Sequence, residues 1–166
     1  MTLNNSKSVI NLKLLLRTSI IVYSSFLVLS LAAGIIKFPL LGMGKAAWII
    51  IFTVCFIIIM LTPIILNFQY ILFSDDGDTI IFRYYTTGLF SGNKNSVEIE
   101  KRTFSGFTVD KGFLGLIQSV TLYQRMKEGV AKYPPIFISA LKRKDRETVL
   151  ESLTSYAPRV KGKKRV

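Results

Sequence analysis

The sequence predicts a hairpin of two transmembrane helices followed by a mainly-β barrel or sandwich of six or seven antiparallel strands, closed by a C-terminal α-helix. The helices are predicted because Thr18–Ile36 and Ala46–Leu66 contain no charged residue, and about 20 apolar residues span a hydrocarbon core. The β domain is predicted because β-rich runs separated by turn residues begin at residue 67, and apolar and polar residues alternate at Ser96–Lys101. The predicted segments are an N-terminal basic segment (1–17), a transmembrane helical hairpin (18–66), a β domain (67–157) and a basic tail (158–166).

The first apolar stretch has two interpretations. Lys7, Lys13 and Arg17 precede it, and Ala32-Ala33 offers small residues, as in a cleavable secretory signal. However, the charged region is long, and the apolar run exceeds the roughly 7–15 residues of a signal core. We therefore favour an uncleaved helix.

A short connection joins the two apolar stretches. Lys37–Lys45 contains Pro39, Gly42 and Gly44, which end helices and form turns, so the helices are expected to run antiparallel. Neither stretch contains an acidic or basic residue, which argues against an ion path or a transport site within the hairpin. The basic residues before the first helix favour cytoplasmic termini, with Lys37–Lys45 on the outside.

The β domain begins with a hairpin. Two β-rich runs, YILFS and TIIFRYY, flank the turn DDGD, and an Asp-Gly pair is typical of such turns. Val97 and Ile99 then alternate with glutamates, as in a strand with one buried face. Further strands are predicted at Gly106–Asp110, Ser119–Arg125 and Tyr133–Ser139.

The last predicted element is an amphipathic helix. Within Lys144–Tyr156 the apolar residues recur at helical spacing, with charges on the opposite side. We expect this helix to close the open end of the β domain and to bury its apolar residues, which are Val149, Leu150, Leu153 and Tyr156.

The order of these elements resembles a known family. The segments IIFRYYTTGLF, SVEIEK, YPPIFISAL and KDRETVLESL are similar to those of bacterial pleckstrin-homology-like domains, over Gln69–Tyr156. This resemblance implies a PH-like, non-catalytic domain tethered to the bacterial cytoplasmic (inner) membrane. Eukaryotic pleckstrin-homology domains that bind inositol phosphates place basic residues around the first hairpin loop. Here that loop contains Asp75, Asp76 and Asp78, which disfavours inositol-lipid binding there.

Catalytic, cofactor and metal sites are not expected. The chain has no histidine, which excludes a Ser-His-Asp triad, and no glycine-rich phosphate loop. Cys55 is the only cysteine and is interpreted as a structural thiol, because an apolar environment disfavours the thiolate. The acidic turn lacks calcium-loop spacing, since Thr86 falls where a bidentate glutamate is needed if Asp75 is the first position.

The charge balance bears on possible partners. The net charge is +12, and residues 67–166 hold 17 basic and 10 acidic residues. Such a balance can favour anionic lipid, nucleic acid or an acidic partner, but the favoured interpretation is a solvated surface beside an anionic membrane leaflet. Basic residues interleave with aromatic ones at Phe82–Tyr85, a pattern that also occurs in single-strand binders. Aromatic residues that alternate along strands are more typical of a sheet core, so nucleic acid is disfavoured.

The C-terminal tail is strongly basic and has two interpretations. It is either a set of contacts to anionic lipid or a disordered solubilising end; its basic residues are Arg159, Lys161, Lys163, Lys164 and Arg165.

The leading functional hypothesis is a membrane-anchored scaffold or accessory subunit that contacts another integral membrane protein or complex. The alternative is a sensor of anionic lipid headgroups that acts through its basic surface and tail.

Overall fold

The computed structural model describes residues 1–32, 37, 39–88, 92–112 and 115–156. It contains two long apolar helices, a β region built entirely from antiparallel strand pairs, and a C-terminal helix. The helices are α1 (Ser6–Leu27, continued by a π-helical turn at Val28–Ala32), α2 (Lys45–Ile65) and α3 (Arg143–Tyr156). The strands are β1 (Thr2–Asn4), β2 (Gln69–Ser74), β3 (Thr79–Thr86), β4 (Asn95–Glu100), β5 (Phe104–Gly112), β6 (Ile117–Met126), β7 (Gly129–Lys132) and β8 (Ile136–Phe137).

The strands form two four-stranded sheets. The first has the order β1-β2-β3-β4, and the second has the order β5-β6-β7, with β8 also paired to β6. Two of these strands, β1 and β7, were not predicted from the sequence. Within the described ranges no strand pair joins the two sheets, so they do not close into a hydrogen-bonded barrel.

The two sheets share one hydrophobic core. Along β2 every second residue is buried, as expected for a strand with one face on a core. The core residues of the sheets include Ile71, Phe73, Ile80, Phe82, Ile99, Phe107, Val120 and Leu122.

Helix α3 packs against β5 and completes this core. Val149 and Leu153 are fully buried, and Leu150 is half-buried at the edge of the cluster. Tyr156, which the sequence placed in the core, is 36% exposed. It occupies the last position of α3, where its ring lies 4.6 Å from the Lys101 ammonium.

Helices α1 and α2 pack side by side and expose most of their apolar surface. Tyr23 stacks on Phe56 at 4.4 Å and Phe26 stacks on Phe52 at 4.1 Å, measured between ring centroids. Both helices are long and apolar enough to cross a membrane, and only 6% of the most apolar part of α2 is buried. A continuous exposed apolar surface of this kind needs lipid or protein to cover it.

The helical hairpin is inserted between two neighbouring strands of the first sheet. Strand β1 precedes α1, strand β2 follows α2, and the two strands pair antiparallel with Leu3 opposite Phe73. The first residues of the chain, predicted as a separate basic segment at 1–17, therefore supply an edge strand and the start of α1. The β domain is attached to the hairpin through both of its helices.

Candidate functional site

The base of the hairpin is the part of the molecule where both helices meet the first sheet. At the first crossing, where the chain passes from β1 into α1, Asn5 is 4% exposed. Its Nδ2 donates to the carbonyl oxygen of Gln69 at 2.8 Å, and its Oδ1 accepts from the backbone N of Ile71 at 2.8 Å. The start of α1 is thereby fixed to β2.

The second crossing, where the chain passes from α2 into β2, is equally short. The backbone N of Asn67 donates to the Ile64 carbonyl at 3.1 Å, and the backbone N of Phe68 donates to the Pro63 carbonyl at 2.9 Å. Asn67 has a φ of 47°. This is the Schellman pattern of a helix end, in which asparagine tolerates the left-handed conformation. Because β2 begins at Gln69, the second crossing contains no flexible linker.

The pairing of the helices shows how far α1 extends beyond α2. Tyr23 lies opposite Thr53 and Phe56, and Phe26 lies opposite Phe52. Continued to the base of the hairpin, this antiparallel pairing places Ile65, the last residue of α2, level with Lys13. The preceding residues of α1, 6–12, therefore extend about 10 Å past the end of α2, at about 1.5 Å per residue.

This extension forms one wall of a groove against the first sheet, which we call the hairpin groove. The groove has a volume of about 650 Å³ and combines basic, aromatic, polar and apolar side chains. None of the described residues that line it is acidic. Its lining residues are Ser6, Val9, Ile10 and Lys13 of α1, Tyr70 and Leu72 of β2, Arg83, Tyr84 and Tyr85 of β3, and Lys94, Asn95 and Ser96 at the start of β4.

The hairpin groove is lined by three cationic side chains and a stacked pair of tyrosines. Lys13, Arg83 and Lys94 come from separate parts of the chain. The rings of Tyr70 and Tyr85 stack at 4.8 Å, and the Lys13 Nζ lies 6.0 Å from the centroid of the Tyr85 ring. This arrangement can attract an anion while offering aromatic surface to an adjoining apolar group.

A second polar cluster surrounds the acidic turn between β2 and β3. Asp75 accepts from the Met1 ammonium at 2.6 Å and from the Ser152 hydroxyl, while Lys101 Nζ donates to the Asp75 carbonyl at 2.7 Å. Hydrogen bonds from the Met1 ammonium, Thr2 and Ser74 lower the pKa of Asp76 to about 2. The turn therefore contacts β1 with the residue before it, the residue that follows β4, and α3. In the part of the chain that the structure describes, no group of three or more potential metal ligands is found.

Among the described residues, no predicted site residue lines the hairpin groove. The basic tail, which holds all five candidate lipid contacts, Arg159, Lys161, Lys163, Lys164 and Arg165, lies outside the described residues. Arg83 was visible in the sequence as a basic residue among aromatic ones. Its proximity to Lys13 was not, because the 69 residues between them include most of the hairpin.

No family model, curated protein or solved structure matches this chain. The functional proposals below therefore depend on the geometry of the chain itself.

Proposed function

We propose that the protein is a non-catalytic, membrane-anchored scaffold or accessory subunit. In this proposal α1 and α2 cross the membrane, and the β domain, taken as PH-like, contacts another integral membrane protein or complex at the membrane surface. The observation that carries the proposal is the insertion of the hairpin between the paired strands β1 and β2.

This insertion supports a scaffold role because it restricts the position of the domain. A domain attached through one flexible linker samples many orientations. Here both crossings are held by hydrogen bonds. At the first, the Asn5 side chain bonds to β2, and at the second, the backbone N of Phe68, the residue before β2, bonds to the Pro63 carbonyl in α2. Positioning of this kind reduces the entropy lost when a second protein in the same membrane binds.

Exposed apolar helices support the membrane anchor. α2 contains 21 residues, a length of about 31 Å at about 1.5 Å per residue, which matches a hydrocarbon core of about 30 Å. Lys7, Lys13 and Arg17 lie at the domain end of the hairpin, and Lys37 and Lys45 lie near its loop. This distribution favours a bacterial cytoplasmic membrane orientation with both termini in the cytoplasm.

The proposal is tested by loosening the two crossings. A flexible 20-residue Gly/Ser segment is inserted after Lys7, after Asn67, or at both places, and each tagged protein is purified in mild detergent with its partners. We expect each single insertion to retain most partner protein, because the other crossing still holds the domain, and the double insertion to lose most of it. The matched control is the same segment in the β6–β7 turn between Lys127 and Glu128.

Domain integrity is checked by the near-ultraviolet circular dichroism melt of each variant. The scaffold proposal fails if the doubly loosened protein recovers the same partner in the same amount as the unaltered chain. It also fails if the unaltered chain recovers no protein partner. Release of the chain from membranes by alkaline carbonate would overturn the anchor itself.

A further inference from the structure

We propose that the hairpin groove binds the headgroup of an anionic phospholipid, an inference that rests on the proposed membrane anchor. The positive charge of this groove comes from Lys13 on α1, Arg83 on β3 and Lys94 before β4, which line its volume of about 650 Å³.

The hairpin groove lies at the depth where a phospholipid phosphate would be found. Lys13 is level with Ile65, the last residue of α2. Because the length of α2 matches the hydrocarbon core, Lys13 lies where the core ends and the headgroup layer begins. The long side chain of a lysine at this depth reaches the headgroups.

The polar lining suits a phosphate with a hydroxyl-bearing headgroup. A guanidinium such as that of Arg83 binds phosphate oxygens through two parallel hydrogen bonds, and two lysines add charge. Ser6 and Ser96 supply hydroxyls, and Asn95 supplies an amide. The Ser96 hydroxyl donates to Glu98 at 3.2 Å and the Asn95 amide to the Asn93 carbonyl at 3.4 Å, exposed bonds that a headgroup can replace. These groups can hydrogen-bond to the glycerol or sugar hydroxyls of a headgroup.

One acidic neighbour competes for the arginine. Glu98 lies 3.6 Å from Arg83, and the two side chains are 54% and 62% exposed. An ion pair this exposed contributes little in water, so a phosphate can replace it. Glu98 is outside the groove lining, and removing its charge should strengthen anion binding rather than weaken it.

The aromatic and apolar lining suits the part of a lipid next to the phosphate. Tyrosine rings are favoured at the boundary between headgroups and hydrocarbon, and Tyr70 and Tyr85 form a stacked pair at this position. Val9, Ile10 and Leu72 extend the lining with aliphatic surface. A free anion would leave this surface without a partner, whereas the glycerol backbone and the first methylenes of a lipid would cover it.

The test is a titration of the full-length protein in a neutral detergent. The probes are dioctanoyl-phosphatidylglycerol, dioctanoyl-phosphatidylcholine and inorganic phosphate, and binding is followed by the melting temperature and by native mass spectrometry. We expect phosphatidylglycerol to bind and to raise the melting temperature, with little response to the other two. Each of the Lys13→Gln, Arg83→Gln and Lys94→Gln variants should weaken phosphatidylglycerol binding about five-fold, which corresponds to about 1 kcal/mol per basic residue near the membrane surface.

Two further variants serve as controls for the titration. Lys127→Gln removes the same charge from an exposed position in the β6–β7 turn and should leave binding unchanged. Glu98→Gln should tighten binding, because Arg83 then loses its competing carboxylate. Near-ultraviolet circular dichroism verifies that each variant is folded. If the Lys13→Gln or Lys94→Gln variant does not fold, the opposite effects expected for Arg83→Gln and Glu98→Gln decide the question.

The inference is overturned if phosphatidylcholine binds as tightly as phosphatidylglycerol, or if the Lys13, Arg83 and Lys94 variants bind like Lys127→Gln. Equal binding of inorganic phosphate would also overturn it, since the site would then recognise a free anion. Each of these failures leaves the partner recovery and alkaline extraction tests of the scaffold untouched, so the two proposals can fail separately.

Discussion

Asn5 and Ile71 exchange two hydrogen bonds where the first helix leaves the β domain. The backbone N of Asn5 donates to the Ile71 carbonyl at 3.3 Å, and the backbone N of Ile71 donates to the Asn5 Oδ1 at 2.8 Å. Asn5 precedes α1, and asparagine in that position ordinarily caps the helix with its side chain. Here the side chain makes no such bond. It extends the β1–β2 pairing by one residue instead, so the sheet determines where α1 begins.

The first prediction is that Asn5→Ala destabilises the β domain by about 2–4 kcal/mol. The substitution leaves the buried carbonyl of Gln69 and the buried N–H of Ile71 without partners, and each unsatisfied group costs about 1–3 kcal/mol. The measurement is the thermal melt of the full-length protein in detergent, followed by near-ultraviolet circular dichroism.

The matched control for this prediction is Asn4→Ala. Asn4 is exposed, and its Oδ1 accepts one bond, from the backbone N of Ser6 at 3.2 Å. Loss of that helix-start contact should cost about 0.5–1 kcal/mol. Equal effects of the two substitutions would show that the Asn5 bridge does not hold the hairpin to the sheet.

The difference between what the sequence predicts and what the structure contains is largest at these crossings. The helices, the β2–β3 hairpin and α3 are predictable because they depend on local periodicity and turn chemistry. Strand β1 has only three residues, too few to show alternation, and its partner β2 begins more than 60 residues later. The hairpin groove is hidden for the same reason, since Lys13 and Arg83 are brought together by a long-range pairing.

The second prediction concerns the closing helix. Leu153 is fully buried, whereas Leu150 is half-buried at the edge of the core. Leu153→Ala should therefore destabilise the domain by about 2–5 kcal/mol, the range for a fully buried leucine. Leu150→Ala should cost less than half as much, because less of its surface is removed from water.

The same thermal melt compares the two leucine variants, which have identical chemistry at neighbouring positions. A Leu153→Ala protein that melts like the unaltered chain would mean that α3 does not belong to the cooperative core.

The third prediction is a pH dependence of stability at the acidic turn. The pKa of Asp76 is lowered from 3.8 to about 2 by hydrogen bonds from the Met1 ammonium, Thr2 and Ser74. A carboxyl group whose pKa is lowered on folding contributes stability above its unfolded pKa and loses that contribution as the pH falls through its folded pKa. The melting temperature should therefore decrease between about pH 5 and pH 2.

Asp76→Asn should lower the melting temperature at neutral pH and flatten its decrease in acid. Asp110→Asn, at an exposed position on β5, removes the same charge and should keep the slope of the unaltered chain. If the two variants show the same acid profile, the hydrogen bonds around Asp76 do not contribute to folding.

The last prediction is the topology of the hairpin. Because β1 pairs with β2, the N-terminal strand and the β domain lie on the same side of any membrane that the hairpin crosses. In the proposed arrangement, with both helices spanning, the loop that contains Leu41 lies on the other side. In a Cys55→Ser background, we expect an impermeant maleimide to label a Leu41→Cys variant in intact cells. It should label a Lys127→Cys variant only after the cytoplasmic membrane is permeabilised. Leu41 is 84% exposed and Lys127 lies in an exposed turn, so both sites are open to the reagent. Labelling of Lys127→Cys alone would place the domain outside, and equal labelling of both in intact cells would show that the helices do not span.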